Sequence, residues 1–424
     1  MTLPGQPVAV RGGSGGIAAR TEQLREMAAC FGAVAGESLS AALGLHGYLA
    51  HPALVLSALL DPIGFADFEA TLLAALDAPQ GLSWAGAEAG VIDGELRAAA
   101  SAYEAVDDTV ATLRDDILGL ARLPEALAEG AATLAHTGDP LQAAQAAIAA
   151  DPQAADLVVE LLGLPAALTA AAGALADGVG VVRRTGADAG ALAATPPRRL
   201  TDVLADLARR NDDPRHGEID VRVLTGPGGA RRAIVDITGT KSWTLAPTHD
   251  ITSLTTNCRA LVGERTAYEQ GVLAAMTQAG VRPGDPVMLV GHSEGGMVAV
   301  TAARDAVASG QFNVTHVVTA GAPIGRTAGQ LPRGVQVLAL ENRADVVPHL
   351  DGVANPDLPN VTTVAGTRGD GTVLGDHGVR STYLPLAGDA QASGARSVRD
   401  FLGSAHAYFS ATEVRTHTYQ IRRE

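Results

Sequence analysis

Apolar residues recur at steps of three and four through the first half of the chain, as at Val106, Val110, Leu113, Ile117 and Leu120, which lays a single stripe along an α-helix. Turn and helix-start chemistry interrupts this texture at Pro79-Gln80-Gly81, Thr137-Gly138-Asp139-Pro140 and Asp151-Pro152, so several antiparallel helices joined by short loops are predicted. The pattern changes after a linker at Ala194-Thr195-Pro196-Pro197-Arg198 and a short helix opened by Thr201 or Asp202. Ile219 to Leu224 alternates as a strand does, Gly226-Pro227-Gly228-Gly229 makes a turn, and Ala233 to Ile237 returns as a second strand, which together predict a β-hairpin. The apolar runs Val287–Val290, Val317–Ala320, Val335–Leu340 and Val361–Val364 then alternate with helical stretches near 262–279 and 294–308. That alternation predicts a mostly parallel sheet with helices on both faces and ligand sites at the carboxyl ends of its strands. The predicted class is α/β, with an all-α helical bundle over residues 1–212 followed by an α/β domain over 213–424.

Composition and charge narrow the function. The chain has 424 residues, 47% of them apolar and 18% charged, and a net charge of −15, which is the make-up of folded protein and excludes wholesale disorder. The acidity is confined to the helical half: residues 23–180 hold 21 acidic and 4 basic side chains, whereas 211–424 hold 21 and 19. Lys241 is the single lysine, and no basic stripe exists that would displace counterions from a nucleic acid. Cys30 and Cys258 form no CxxC pair, so zinc knuckles, iron–sulfur sites and a disulfide framework are not expected. The start of the chain lacks the basic and apolar regions of a Sec signal peptide. The stretch Leu161 to Ala176, at 16 residues, is too short for the roughly 20 that cross a bilayer, so no transmembrane segment is expected.

The chemistry concentrates at the predicted strand ends. Gly291-His292-Ser293-Glu294-Gly295-Gly296 lies directly between a strand and the helix Met297 onward, the context of a nucleophile elbow in which small residues let strand and helix approach around an exposed serine hydroxyl. Gly12-Gly13-Ser14-Gly15-Gly16 fits the same short pattern with no strand before it, and Ser14 reads as terminal chain. A serine needs a base to take its proton and an acid to orient that base, and with this elbow the chain order is Ser, acid, His. Asp345, past the strand ending at Leu340, is the predicted acid, with Glu341 and Asp351 as substitutes. His377, after the strand Val361–Val364 and a Gly-rich loop, is the predicted base, and His406 in Ser404-Ala405-His406-Ala407-Tyr408-Phe409 competes with it. His292, inside the elbow, and His349, four residues past the proposed acid, are not expected to be bases, and His316 before a core strand reads as structural. The oxyanion donors are predicted as the backbone N–H of Glu294 and a donor in the loop Thr238–Trp243, assigned to Thr240. No metal or organic cofactor is implied.

These residues resemble the α/β-hydrolase fold and, within it, class 3 lipases, whose oxyanion loop sets a Gly-Ser/Thr pair shortly before a Trp, as in Gly239-Thr240-Lys241-Ser242-Trp243. The resemblance spans about residues 217–424. It implies an acid in Asp345-Val346-Val347-Pro348 and a base near the chain end before an aromatic pair, which His406-Ala407-Tyr408-Phe409 matches in part. The expected activity is hydrolysis of carboxylic esters, small or lipid-like, through an acyl-enzyme. More faintly, Trp84-Ala85-Gly86 with Tyr103-Glu104-Ala105-Val106-Asp107 in the following helix resembles helical substrates of type VII secretion. That likeness implies export without a Sec signal and a helical secretion partner or chaperone; the alternative is a cytoplasmic protein with a plain helical bundle, Trp84 in its core and Asp107 solvated. The likeness leaves open the alternative of an exported or scaffold protein whose hydrolase half is inactive.

Overall fold

The computed structural model describes residues 8–138, 140–150, 155, 159, 164–185, 195–242 and 249–424. Asp139, Asp151-Pro152, Leu161 to Gly163, Ala194 and Trp243 lie outside the described residues, as do the side chains of 103–125, which include Tyr103 and Asp107. The protein is α/β, with a helical amino-terminal region and a nine-stranded mixed sheet.

Two compact units divide it. Residues Ile17–Ala111 form one, and Met1–Gly16 with Thr112–Glu424 form the other. The sequence boundary near 212 therefore does not coincide with the division in space. Its reason is packing: the helix Leu200–Asp212 buries Leu200, Val203, Leu204 and Leu207 in the core beneath the sheet. In the smaller unit, helices α1 (Ile17–Leu49), α2 (Pro52–Leu60), α3 (Pro62–Asp77) and the start of α4 (Leu82–Thr137) run as the periodicity predicts. Trp84-Ala85-Gly86 lies within the first turns of α4, behind the turn at 78–81, and Tyr103 and Asp107 belong to that same helix rather than to the next one. Among the described residues α1 is long and apolar enough over Arg20–Leu49 to cross a membrane by length and composition, a stretch that the sequence expectation passes over.

The strands of the larger unit are β1 (Ala9–Gly12), β2 (Gly180–Arg184), β3 (Glu218–Thr225), β4 (Arg231–Ile237), β5 (Pro286–His292), β6 (Asn313–Ala320), β7 (Gln336–Asn342), β8 (Val361–Gly366) and β9 (Glu413–Arg423). Their order across the sheet is β1-β8-β7-β6-β5-β4-β3-β9-β2. Strands β4 to β8 are parallel neighbours in sequence order, and β3, β9, β2 and β1 pair antiparallel at the two flanks. The central strands are buried on both sides, and alternate residues serve opposite cores. Val287 and Leu289 join the cluster under the helices Ala267–Gln278 and Glu294–Ser309. Met288 and Val290 face Leu204, Tyr383 and Leu386 on the other side. Continuous apolar runs are what two covered faces require. The expected hairpin is present, with β3 and β4 in antiparallel register from Asp220↔Asp236 to Thr225↔Arg231.

Candidate active site

One residue separates β5 from the helix Glu294–Ser309, and that residue is Ser293. Reversing the chain in so short a space forces Ser293 to φ 54° and ψ −124°, the single positive φ of a non-glycine residue among the described residues. Such strain persists only where the surroundings over-determine it. The surroundings do so through glycine. A Cβ on Gly291 would meet the Gly295 carbonyl oxygen at 2.1 Å, and one on Gly295 would meet the Ile237 carbonyl oxygen at 2.3 Å. The Ser293 N–H also donates to the Ala320 carbonyl oxygen at 2.9 Å, which ties the turn to the end of β6.

The predicted acid and base meet. Asp345, fully buried beyond β7, accepts a hydrogen bond of 2.6 Å on Oδ2 from His377 Nδ1. Tyr383 donates its hydroxyl to the same oxygen at 2.5 Å, and the Val347 N–H donates to Oδ1 at 3.0 Å. Burial, reinforced by the Asp345 charge, holds the Tyr383 phenol well above its ordinary range, so it stays a donor. His377 ends the short helix Val373–His377, where a loop is expected from sequence. With Nδ1–H committed to Asp345, the imidazole presents Nε2 as its free lone pair.

His377 is also held against the elbow. His292, adjacent to Ser293, donates Nε2–H to the His377 carbonyl oxygen at 2.8 Å, and the two rings lie 4.5 Å apart. A carbonyl only accepts, which fixes the His292 tautomer. Burial, helped by the neighbouring His377, pushes the His292 imidazole well below its ordinary value, so it is a neutral brace.

His406 lies elsewhere. Its short helix, His406–Phe409, is anchored by the Tyr408 hydroxyl at 2.7 Å from Thr315 Oγ1, near the amino end of β6. Ala320, at the carboxyl end of β6, is five positions beyond Thr315, a span of roughly 16 Å along a strand. His406 is exposed there. His316, packed edge-on against Phe401 and Tyr408, is pushed down to about 4 by burial and is structural. The substitutes for the acid have other partners: Glu341 accepts from Asn355 Nδ2 at 2.6 Å, and Asp351 from the Arg326 N–H at 3.2 Å. Ser14 stands two residues past β1, where no strand is expected from sequence, and donates to Asp400 at 2.5 Å beside the amino end of β8, since Gly12 pairs with Thr362.

The predicted oxyanion loop lies against the elbow, since a Cβ on Gly239 would stand 3.0 Å from the Ser293 Cβ. The Gly239 and Lys241 amides donate to Asn211 Oδ1 and the Thr252 carbonyl oxygen. Thr240 Oγ1 accepts from Asn257 Nδ2 at 2.8 Å. The Glu294 N–H opens a helix and is one of the amides without an intrahelical acceptor.

The Glu294 side chain is another matter. It is fully buried, and neither carboxyl oxygen makes a hydrogen bond of ordinary geometry. Burial pushes its carboxyl well above the ordinary value of 4.5, with the Thr240 hydroxyl opposing the shift. The folded protein thus keeps a proton that the unfolded chain releases, so stability falls as pH rises from about 4.5 toward the folded value. Glu294→Gln, neutral at every pH, is expected to gain stability over the wild type as pH rises above the ordinary carboxyl range, by up to about 1.4 kcal/mol per pH unit while the buried carboxyl holds its proton. That advantage should vanish near pH 4, and a Tm series across pH checks it. Only the main chain of residue 294 is assigned to chemistry, so turnover should be retained.

Comparison with family models, with curated proteins and with solved structures finds no match to this chain.

Proposed function

We propose that this protein is a serine hydrolase of carboxylic esters, built on an α/β-hydrolase-like sheet, in which Ser293 is the nucleophile, His377 the base and Asp345 the acid. The observation that carries the proposal is the conjunction of a strained serine at the β5 turn with a buried, tyrosine-supported Asp345–His377 pair braced against the same turn. In this reading His377 Nε2 takes the Ser293 proton as Oγ attacks the ester carbonyl carbon. The oxyanion draws on the N–H groups of Glu294 and Thr240, and the imidazolium returns its proton to the departing alkoxide. Water, deprotonated by the same nitrogen, then releases the acid from the acyl-serine.

A fluorophosphonate probe tests this directly, because it forms a stable ester only with an activated serine. The folded protein is expected to label at Ser293 and to hydrolyse a short-chain p-nitrophenyl ester. A folded protein that does neither removes the reading.

The helical unit supports a second, separable role. Leu43, Leu60 and Ile63, on three successive helices, are 73%, 90% and 77% exposed, apolar side chains that a bound partner would cover. That observation favours the export and partner-binding reading for residues 17–111. Extracellular protein lost on Trp84→Ala would support it, and unchanged extracellular protein would remove it.

A further inference from the structure

The acid and the base stand on two separate segments of the chain, which meet directly through the Asp345–His377 hydrogen bond and through Asn342. Helix α5 (Pro140–Ala150) lies in the same compact unit and carries Gln145, which is 3% exposed. Its Nε2 donates to the Ala344 carbonyl oxygen at 2.6 Å and to Asp376 Oδ2 at 2.9 Å. Its Oε1 accepts from the Val346 N–H at 3.1 Å. The orientation of this amide is dictated by its partners, since the reverse would set NH2 against N–H and oxygen against oxygen.

The partners of Gln145 are the two neighbours of Asp345 and the residue immediately before His377. We infer that Gln145 is a positioning residue for the Asp345–His377 pair, a bracket that fixes the acid loop and the base loop at one mutual distance. Three further contacts make the bracket rigid. Asp376 Oδ1 accepts from the Asp370 and Gly371 N–H groups at 2.9 and 3.0 Å. Asn342, at the end of β7, donates to the Asp376 carbonyl oxygen at 2.9 Å. Ala144 and Ile148, either side of Gln145 on α5, pack on Val346 and Val347. The helix therefore seats by apolar contact, and its buried Gln145 sets the register. Both donors and one acceptor lone pair of a buried amide are used, so removing it leaves the Ala344 carbonyl and the Val346 N–H to rearrange, and both flank the acid.

The inference rests on the hydrolase reading for its kinetic consequence but not for its geometric one. Gln145→Leu, similar in volume, is compared with Ile148→Val, which thins the same packing and leaves the amide bonds intact. Gln145→Leu is expected to lower kcat about tenfold or more, as small misplacements of catalytic groups do, with KM within about twofold. It should also lose the far-downfield Nδ1–H proton resonance that a short imidazole–carboxylate hydrogen bond gives His377. Ile148→Val should lower Tm and leave kcat and that resonance as they are. Should Gln145→Leu not be recovered folded, Gln145→Glu keeps the acceptor for Val346 and sets a carboxylate against Asp376, and the same two losses are expected. A folded Gln145 variant with wild-type kcat and an unchanged resonance overturns the bracket. A wild type that turns over nothing, yet loses the resonance on Gln145→Leu, keeps the bracket and defeats the hydrolase reading instead.

Discussion

Replacing Ser293 by alanine is expected to abolish fluorophosphonate labelling and to lower ester turnover by roughly 10⁴-fold or more, the scale on which removal of a nucleophile acts in a triad. The loss is chemical and should leave the fold intact. Alanine at φ 54° carries the same backbone strain as serine, and the side chain removed is a single hydroxyl, so the melting temperature should move little or rise slightly as a strained, functional site relaxes. Titration with the probe reads the chemistry and a thermal melt reads the fold. Labelling that persists in Ser293→Ala would mean that another residue is the nucleophile.

The two histidines supply the second large effect. His377→Ala is expected to cost roughly 10³-fold or more in kcat, because Ser293 would lose its base and Asp345 would lose the group it orients. It should also cost stability, since it leaves a fully buried carboxylate with the Tyr383 hydroxyl and the Val347 N–H alone. His406→Ala, on an exposed helix near the amino end of β6, should leave kcat within about twofold. Measured side by side on one short-chain ester, the pair discriminates sharply. Activity that disappears only with His406 would require a rearrangement of the whole sheet end and would sink the assignment.

Much of this site is legible without coordinates because its logic is local. Gly291, Gly295 and Gly296 announce an elbow, since only they tolerate the Ile237 carbonyl and Ala322 at such close approach. Asp345 follows a strand end and His377 follows the next one, so chain order alone proposes both. What local pattern does not decide is which of two histidines shares the strand-end side with Ser293. His406 has the more family-like neighbourhood, yet its helix anchors at the far end of β6 through Tyr408 and Thr315.

The outer strands show the same boundary between local and global information. β9 interleaves Arg415, His417, Gln420 and Arg422 with its buried Thr416, Tyr419 and Ile421, so its apolar signal is diluted. β1 spans four residues and β2 spans five, and each carries only two apolar residues, so no apolar run announces them. Each exists because a neighbouring strand offers unpaired backbone groups: β1 completes β8, and β2 completes β9. Gln145 is the extreme case, a polar residue in an Ala-rich helix whose partners lie some two hundred positions downstream.

The amino-acid sequence by itself determined the α/β class, the central strands, the serine at its turn and the placing of Asp345 and His377 past the strand ends that follow, because alternation, glycine placement and strand ends are written within a few residues of one another. The tertiary structure alone decided which histidine meets the acid, where the compact units divide, and that a glutamine from the helical region grips both loops of the pair. Those outcomes depend on which surfaces are buried together, and burial is a property of the assembled chain.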